Sequence, residues 1–182
     1  MGSDFGEKLP GGHKLVSTVN FDAAMDRVFE HEGGWVDDPD DPGGATRFGI
    51  STAMYPAEDI EGMTRERARE LYRRDYWDEA ALDMLPHGIR GTVFDMAVNA
   101  GPHRAVSLLQ IALGSLQSGW LAVDGVVGPQ TARRATDAHP ELLLHAYTTR
   151  RAGYYLDLGK RKPVMQRFLR GWLRRAYSWL DI

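Results

Sequence analysis

Residues 21–51 read FDAAMDRVFEHEGGWVDDPDDPGGATRFGIS, and the fold turns on how that stretch divides. Phe21, Ala24, Met25, Val28 and Phe29 recur at intervals of three and four, which lines one face of an α-helix, and Asn20 stands before them as an N-cap. Gly33 and Gly34 end the helix. The following DDPDDPGG concentrates Pro and Gly too densely for a helix and predicts an ordered loop; TRFGIS then predicts a short β segment.

Outward from this stretch the pattern is helical. Thr64 to Tyr76 carries Ala68, Leu71 and Tyr72 at helical spacing, with Thr64 as cap and the rings of Tyr76 and Trp77 at its far end. Ile89 to Ala100 is apolar on nearly every side and reads as a buried central helix, ended by Gly101 and Pro102. Further helices are predicted from His103 to Leu113, from Pro129 after the turn DGVVGP, from Glu141 to Leu158 and from Pro163 to Trp179. The expected fold is therefore mainly α, with a small β element after the first helix. Residues 1–19 read as a disordered or linker-like N-terminus, 20–100 as one region and 101–182 as a second helical region packed into the same unit.

Composition removes several classes of chemistry. The 182 residues hold no cysteine, so disulfides, thiol nucleophiles and thiolate metal sites are absent. No run approaches the roughly 18 apolar residues that span a bilayer, and the N-terminus lacks the basic and apolar regions of a signal peptide. Synthesis in the cytoplasm is expected, without a signal peptide. The net charge of −3 hides an asymmetry: Arg150 to Arg175 carry nine Lys or Arg against one Asp. No nucleic-acid motif accompanies that basic segment, so no nucleic-acid partner is expected. HEGGW begins like the zinc-binding HExxH helix, but Trp35 occupies the second histidine position and the glycines break the helix. Neither metal nor cofactor is expected, and a monomer is.

Glu32 concentrates the chemistry. It lies four residues after Val28 and three after Phe29, which places its carboxyl on their apolar face. It also falls at a helix C-terminus, whose negative dipole end disfavours ionisation, and acidic residues crowd the loop beyond. All three effects raise its pKa. A carboxylic acid held protonated near neutrality suits glycosidic cleavage, in which the leaving oxygen must receive a proton.

The order Glu32, Asp41, Thr46 across a turn-rich loop resembles phage-type lysozymes. HEGGWVDDPDDPGGATRFGIS resembles more closely the signature of glycoside hydrolase family 108, and RDYWD, FDMAVNAG, LLQIALG, DGVVGPQT and FLRGWLRR are similar to that family's later blocks. The resemblance implies a lysozyme-like fold and hydrolysis of the β-1,4 bond between N-acetylmuramic acid and N-acetylglucosamine, with Glu32 as general acid. It implies peptidoglycan as partner and action at the wall after release, in the manner of a phage endolysin or bacterial autolysin. Asp41 is the expected second carboxylate, nucleophile at about 5 Å or base for water at about 6.5 to 9.5 Å; Asp in this loop can equally cap its own turns. Thr46, one residue short of the phage-type spacing, orients water or serves the strand.

Other residues have two readings each. Asp95 and Asn99 share a face of the central helix, lining a sugar cleft or forming a satisfied structural pair. Trp35, Tyr55, Tyr76 and Trp77 stack on sugars or fill the core, with Trp35, Tyr76 and Trp77 the preferred binders. LLQIALG with VDGVVGPQT resembles a small peptidoglycan-binding helical motif in which binding and packing compete as explanations. The basic C-terminal helix, with Trp172 and Trp179, either packs ordinarily or engages an anionic envelope or membrane surface. The alternatives for the whole chain are a lytic transglycosylase and a non-catalytic wall-binding protein.

Overall fold

Asn20 caps the first helix through its side chain, whose Oδ1 accepts from the Ala23 amide at 2.9 Å. The computed structural model describes residues 20–31 and 46–180. Within them α1 spans Phe21–His31, and Ala24, Met25 and Val28 on its inner face are fully buried. The expected loop, with Glu32, Trp35 and Asp41, lies outside the described residues.

The chain returns as a hairpin of two-residue strands, β1 (Thr46–Arg47) and β2 (Ile50–Ser51), paired Thr46 to Ser51 and Arg47 to Ile50. Phe48 and Gly49 between them take φ of 52° and 76°, the mirror-image turn that suits the twist of a tight hairpin. The expected single β segment is thus folded back on itself.

Thr64 caps α2 (Arg65–Tyr72) by accepting from the Arg67 amide at 3.1 Å. The helix expected to continue to Tyr76 instead widens into a π-helical turn over Arg73–Asp78. Tyr72, Tyr76 and Trp77 all reach the interior through it. Beyond a short 3₁₀ turn at Leu82–Met84, α3 (His87–Ala100) is the buried central helix, with Val93, Phe94, Met96 and Ala97 at 0% exposure.

Gly101, at φ 85°, breaks the chain direction, and α4 (Pro102–Leu116) starts at once with proline in its first turn. Pro102 therefore opens a helix as well as ending one, because its missing N–H falls where no intrahelical partner exists. Next come α5 (Pro129–Asp137) and α6 (Pro140–Arg161). The last predicted helix begins as a 3₁₀ turn at Pro163–Met165 and becomes α7 (Gln166–Tyr177). α3 packs on α4 and α6, α6 on α7, and α1 lies against α3. One continuous core runs from Ala24 on α1 to Trp179 beyond α7. No helix among the described residues is long and apolar enough to cross a membrane.

Candidate active site

Two aromatic residues hold together the chain ends that flank residues 32–45. Phe29, on the last turn of α1, meets Phe48 of the hairpin edge-on at 5.7 Å, and both belong to the rim of the core. The Tyr72 hydroxyl donates to the Phe48 carbonyl at 3.1 Å, tying the hairpin to α2. Thr46, half-buried, is the first residue of β1. Phe29 packs inward as its helix phase requires, so the last turn of α1 is rotationally fixed up to the residue before Glu32.

The aromatic candidates separate by burial. Trp77 is 1% exposed and meets Phe21 and Phe94 edge-on at 5.4 Å each. Tyr76 is 8% exposed, tilted against Tyr72. These rings are core in this arrangement and offer no open face to a sugar. The helical repeat could not reveal this, because the π-turn that delivers them does not follow a 3.6-residue period. Tyr55 is half-buried and its hydroxyl donates to Asp75 Oδ2 at 2.8 Å. Burial, reinforced by that hydrogen bond, raises the Tyr55 pKa far above its usual value. The bond from Arg74 holds Asp75 below the usual carboxylate range, with Tyr55 adding to it.

Asp95 and Asn99 share a face, as their spacing requires, but in different surroundings. Asp95 is 0% exposed and both of its oxygens are engaged. Arg151 of α6 donates to Oδ2, and Arg175 of α7 donates through Nε to Oδ1 at 2.7 Å. Arg151 also donates to Thr92 Oγ1 at 2.7 Å. Burial pulls the Arg151 pKa down, yet the charge of Asp95 leads the opposing effects that leave it above the ordinary arginine value. A carboxylate buried this completely, with both oxygens engaged, is closed to a ligand from solvent; the structure makes Asp95 a brace between three helices. Turned so that its amide oxygen faces Arg175, Asn99 at the edge of the cluster accepts from Nη1 and Nε at 3.2 and 3.1 Å.

Asn99 also lines a cleft of about 360 Å³ with Gly171, Trp172, Arg174 and Arg175. Reading the sequence gives no hint of Arg151, Arg175 or Gly171 as neighbours of Asp95 or Asn99. The only signal was the basic bias of the C-terminal segment, which does not name partners. The apolar side of α7 is spent on packing: Ala176 and, just beyond it, Trp179 are buried, and Trp172 stacks on Tyr155 at 5.2 Å. Trp120, which the sequence reading passed over, is 78% exposed on a loop whose backbone Arg134 holds by donating to the Ser118 and Trp120 carbonyls. Among the described residues no group of three or more His, Cys, Asp or Glu is placed to hold a metal ion.

Comparison with known proteins covers both halves of the chain. Residues 25–101 match the family described as glycosyl hydrolase 108, and residues 104–177 match a predicted peptidoglycan domain. No curated protein matches the chain. Among solved structures, that of Brucella abortus SagA is 31% identical, with a TM-score of 0.73 over 88% of this chain and 91% of that one. The mainly α, lysozyme-like architecture, the two matches in series and a relative similar over nearly its whole length establish that this chain belongs to the glycosyl hydrolase 108 family.

Proposed function

We propose that the protein is a muramidase that hydrolyses the β-1,4 bond between N-acetylmuramic acid and N-acetylglucosamine, with Glu32 as general acid. The observation that carries this reading is the family match across Glu32, Asp41 and Thr46, on a chain whose second half matches a peptidoglycan domain. The anchoring of α1 supports it. Val28 and Phe29 lie inward, and a carboxyl placed beside such an apolar face at a helix C-terminus has its pKa raised.

Asp41 is the proposed second carboxylate and Thr46 a water-orienting hydroxyl from the hairpin. Trp35 and Asn99 are the proposed sugar contacts. Asp95, Tyr76 and Trp77, by their burial, act through the shape they give the fold. Protonation of the leaving oxygen by Glu32 and attack of water at the anomeric carbon would release a new reducing end, the second carboxylate serving as nucleophile or base.

The test is digestion of purified peptidoglycan by the wild type and by Glu32→Gln, with mass spectrometry of the released ends. Losing a general acid costs about a hundred- to ten-thousand-fold in rate. The expected products of the wild type are reducing ends, and Glu32→Gln is expected to lose nearly all activity. Anhydro ends would replace hydrolysis by a transglycosylase reaction. A Gln variant as fast as the wild type removes Glu32 from the mechanism, and an inert wild type indicates a wall-binding protein.

A further inference from the structure

The helices α4 and α6 lie side by side, joined where the buried Tyr147 hydroxyl of α6 donates to the Ala105 carbonyl of α4 at 3.1 Å. Their outward faces are out of phase with that contact. Arg104 and Leu108 stand four residues apart on α4, and Arg150, Tyr154, Asp157 and Arg161 follow one another at intervals of four, three and four on α6. Together they line a groove of about 440 Å³ between the two helices.

None of these three guanidiniums is in an ion pair among the described residues. Arg150 is exposed and has neither an ion pair nor a hydrogen bond among them. Arg161, also exposed, gives its Nε to the Asp157 carbonyl of its own helix at 3.3 Å. Arg104 lies over the Tyr154 ring at 5.5 Å. The imbalance is written into the helices themselves: α4 contains no Asp or Glu, and α6 has Glu141 and Asp157 against Arg150, Arg151, Lys160 and Arg161. Of these cations Arg151 alone is buried, paired inward with Asp95. Asp157 opposes the groove's arginines from the same face.

The spacing of the charges narrows the ligand. Arg150 and Arg161 are three helical turns apart, so about 16 Å separates their places on α6. One phosphate or carboxylate does not span that distance, whereas a chain of anionic groups does. Guanidinium forks match phosphate oxygens through paired N–H bonds. The Tyr154 ring is already occupied by Arg104 and by Tyr155, which it meets edge-on at 5.5 Å, so it offers a nucleobase no free platform.

We propose that the groove between α4 and α6 binds a linear chain of phosphate groups, with Arg150 and Arg161 as its separated contacts. Gly153 is the open floor between them. It stands in the middle of α6, where glycine forms helix poorly, and among the described residues no atom lies within 4 Å of the position its Cβ would take. None of the residues proposed for hydrolysis belongs to this groove, so the inference does not rest on that reading.

The experiment titrates the intact protein with orthophosphate, tripolyphosphate and long-chain polyphosphate over a range of salt, with oligothymidylate and phosphatidylglycerol vesicles as rival probes. Long-chain polyphosphate is expected to bind far more tightly than orthophosphate. Arg150→Gln and Arg161→Gln are each expected to weaken it about tenfold, the share of one charge-assisted contact, and to flatten the dependence of log K on log salt. Asp157→Asn is expected to tighten binding. Gly153→Leu is expected to weaken it without lowering Tm, because leucine favours the helix. Arg133→Gln, which removes an exposed charge of α5 outside the groove, is the control and is expected to bind as the wild type does. An Arg133→Gln loss as large as that of Arg150→Gln overturns the proposal, since net charge alone would then account for binding. Equal affinity for orthophosphate, or normal binding by Gly153→Leu, overturns it as well. Tighter binding of oligothymidylate would replace it by a nucleic-acid site, and binding of vesicles without soluble polyphosphate by a membrane surface.

Discussion

At the scale of single residues, Asp95 shows how much a buried charge depends on partners that sequence order hides. Its place on the same face as Asn99 follows from a four-residue spacing. Its ligands Arg151 and Arg175 lie 56 and 80 residues away, and no local pattern connects them. Replacing Asp95 by alanine takes the ion-pair partner from Arg151, which is fully buried. Such a loss costs about 3–5 kcal/mol. Urea unfolding of Asp95→Ala should therefore show a midpoint far below that of the wild type; a midpoint within error of wild type would mean the cluster is dispensable. The helix faces of Phe21, Ala24, Met25, Val28 and Phe29 were legible because burial follows period directly. Tyr76 and Trp77 were not, because a π-turn alters the phase at the point where they sit.

At the scale of elements, the connection from α4 to α5 gives the block LLQIALG and the turn VDGVVGPQT a structural purpose. Gln110, 1% exposed, donates to Asp124 Oδ1 at 2.7 Å and accepts from the Gly125 amide at 2.9 Å. Gly125 itself has φ 72°, and a Cβ there would come within 2.5 Å of the His103 ring. The turn is thus built around one buried amide, an arrangement that sequence reading could place but not wire. The bond from Gln110, followed by the Val126 amide, lowers the Asp124 pKa from its usual 3.8. A depressed carboxylate stabilises fully above 3.8 and loses that contribution as pH falls through its folded value. Asp124→Asn should accordingly lower Tm at pH 7, and the gap from wild type should close as pH drops below 3.8. A gap that persists unchanged in acid would assign the effect to shape instead of charge. The hairpin 46–51 was only half legible: TRFGIS announces β structure, while the reversal at Phe48 and Gly49 depends on the Phe29 and Tyr72 contacts that seat it.

At the scale of the whole molecule, the two matched regions share an interior. α3 from the first packs on α4 and α6 from the second, and Arg27 on α1 lies over the Trp179 ring at 4.5 Å while reaching the Ser178 carbonyl at 3.5 Å. We expect 20–100 and 101–182 to unfold together. Calorimetry of the wild type should show one transition whose van't Hoff and calorimetric enthalpies agree. Trp179→Ala, which empties a site only 2% exposed, should shift that whole transition by about 3–5 kcal/mol. Two resolved transitions, only one of them moved by Trp179→Ala, would restore an independent C-terminal module.

The contact between Arg27 and Ser178 spans 151 residues of sequence, which gives it a meaning in time. A ribosome releases α1 before the segment around Trp179. Until that segment emerges, α1 stands without the indole and carbonyl that receive Arg27. A chain wired this way completes the packing around α1 only when the segment near Trp179 has emerged, so a product cut short before that segment would keep α1 without its seat for Arg27.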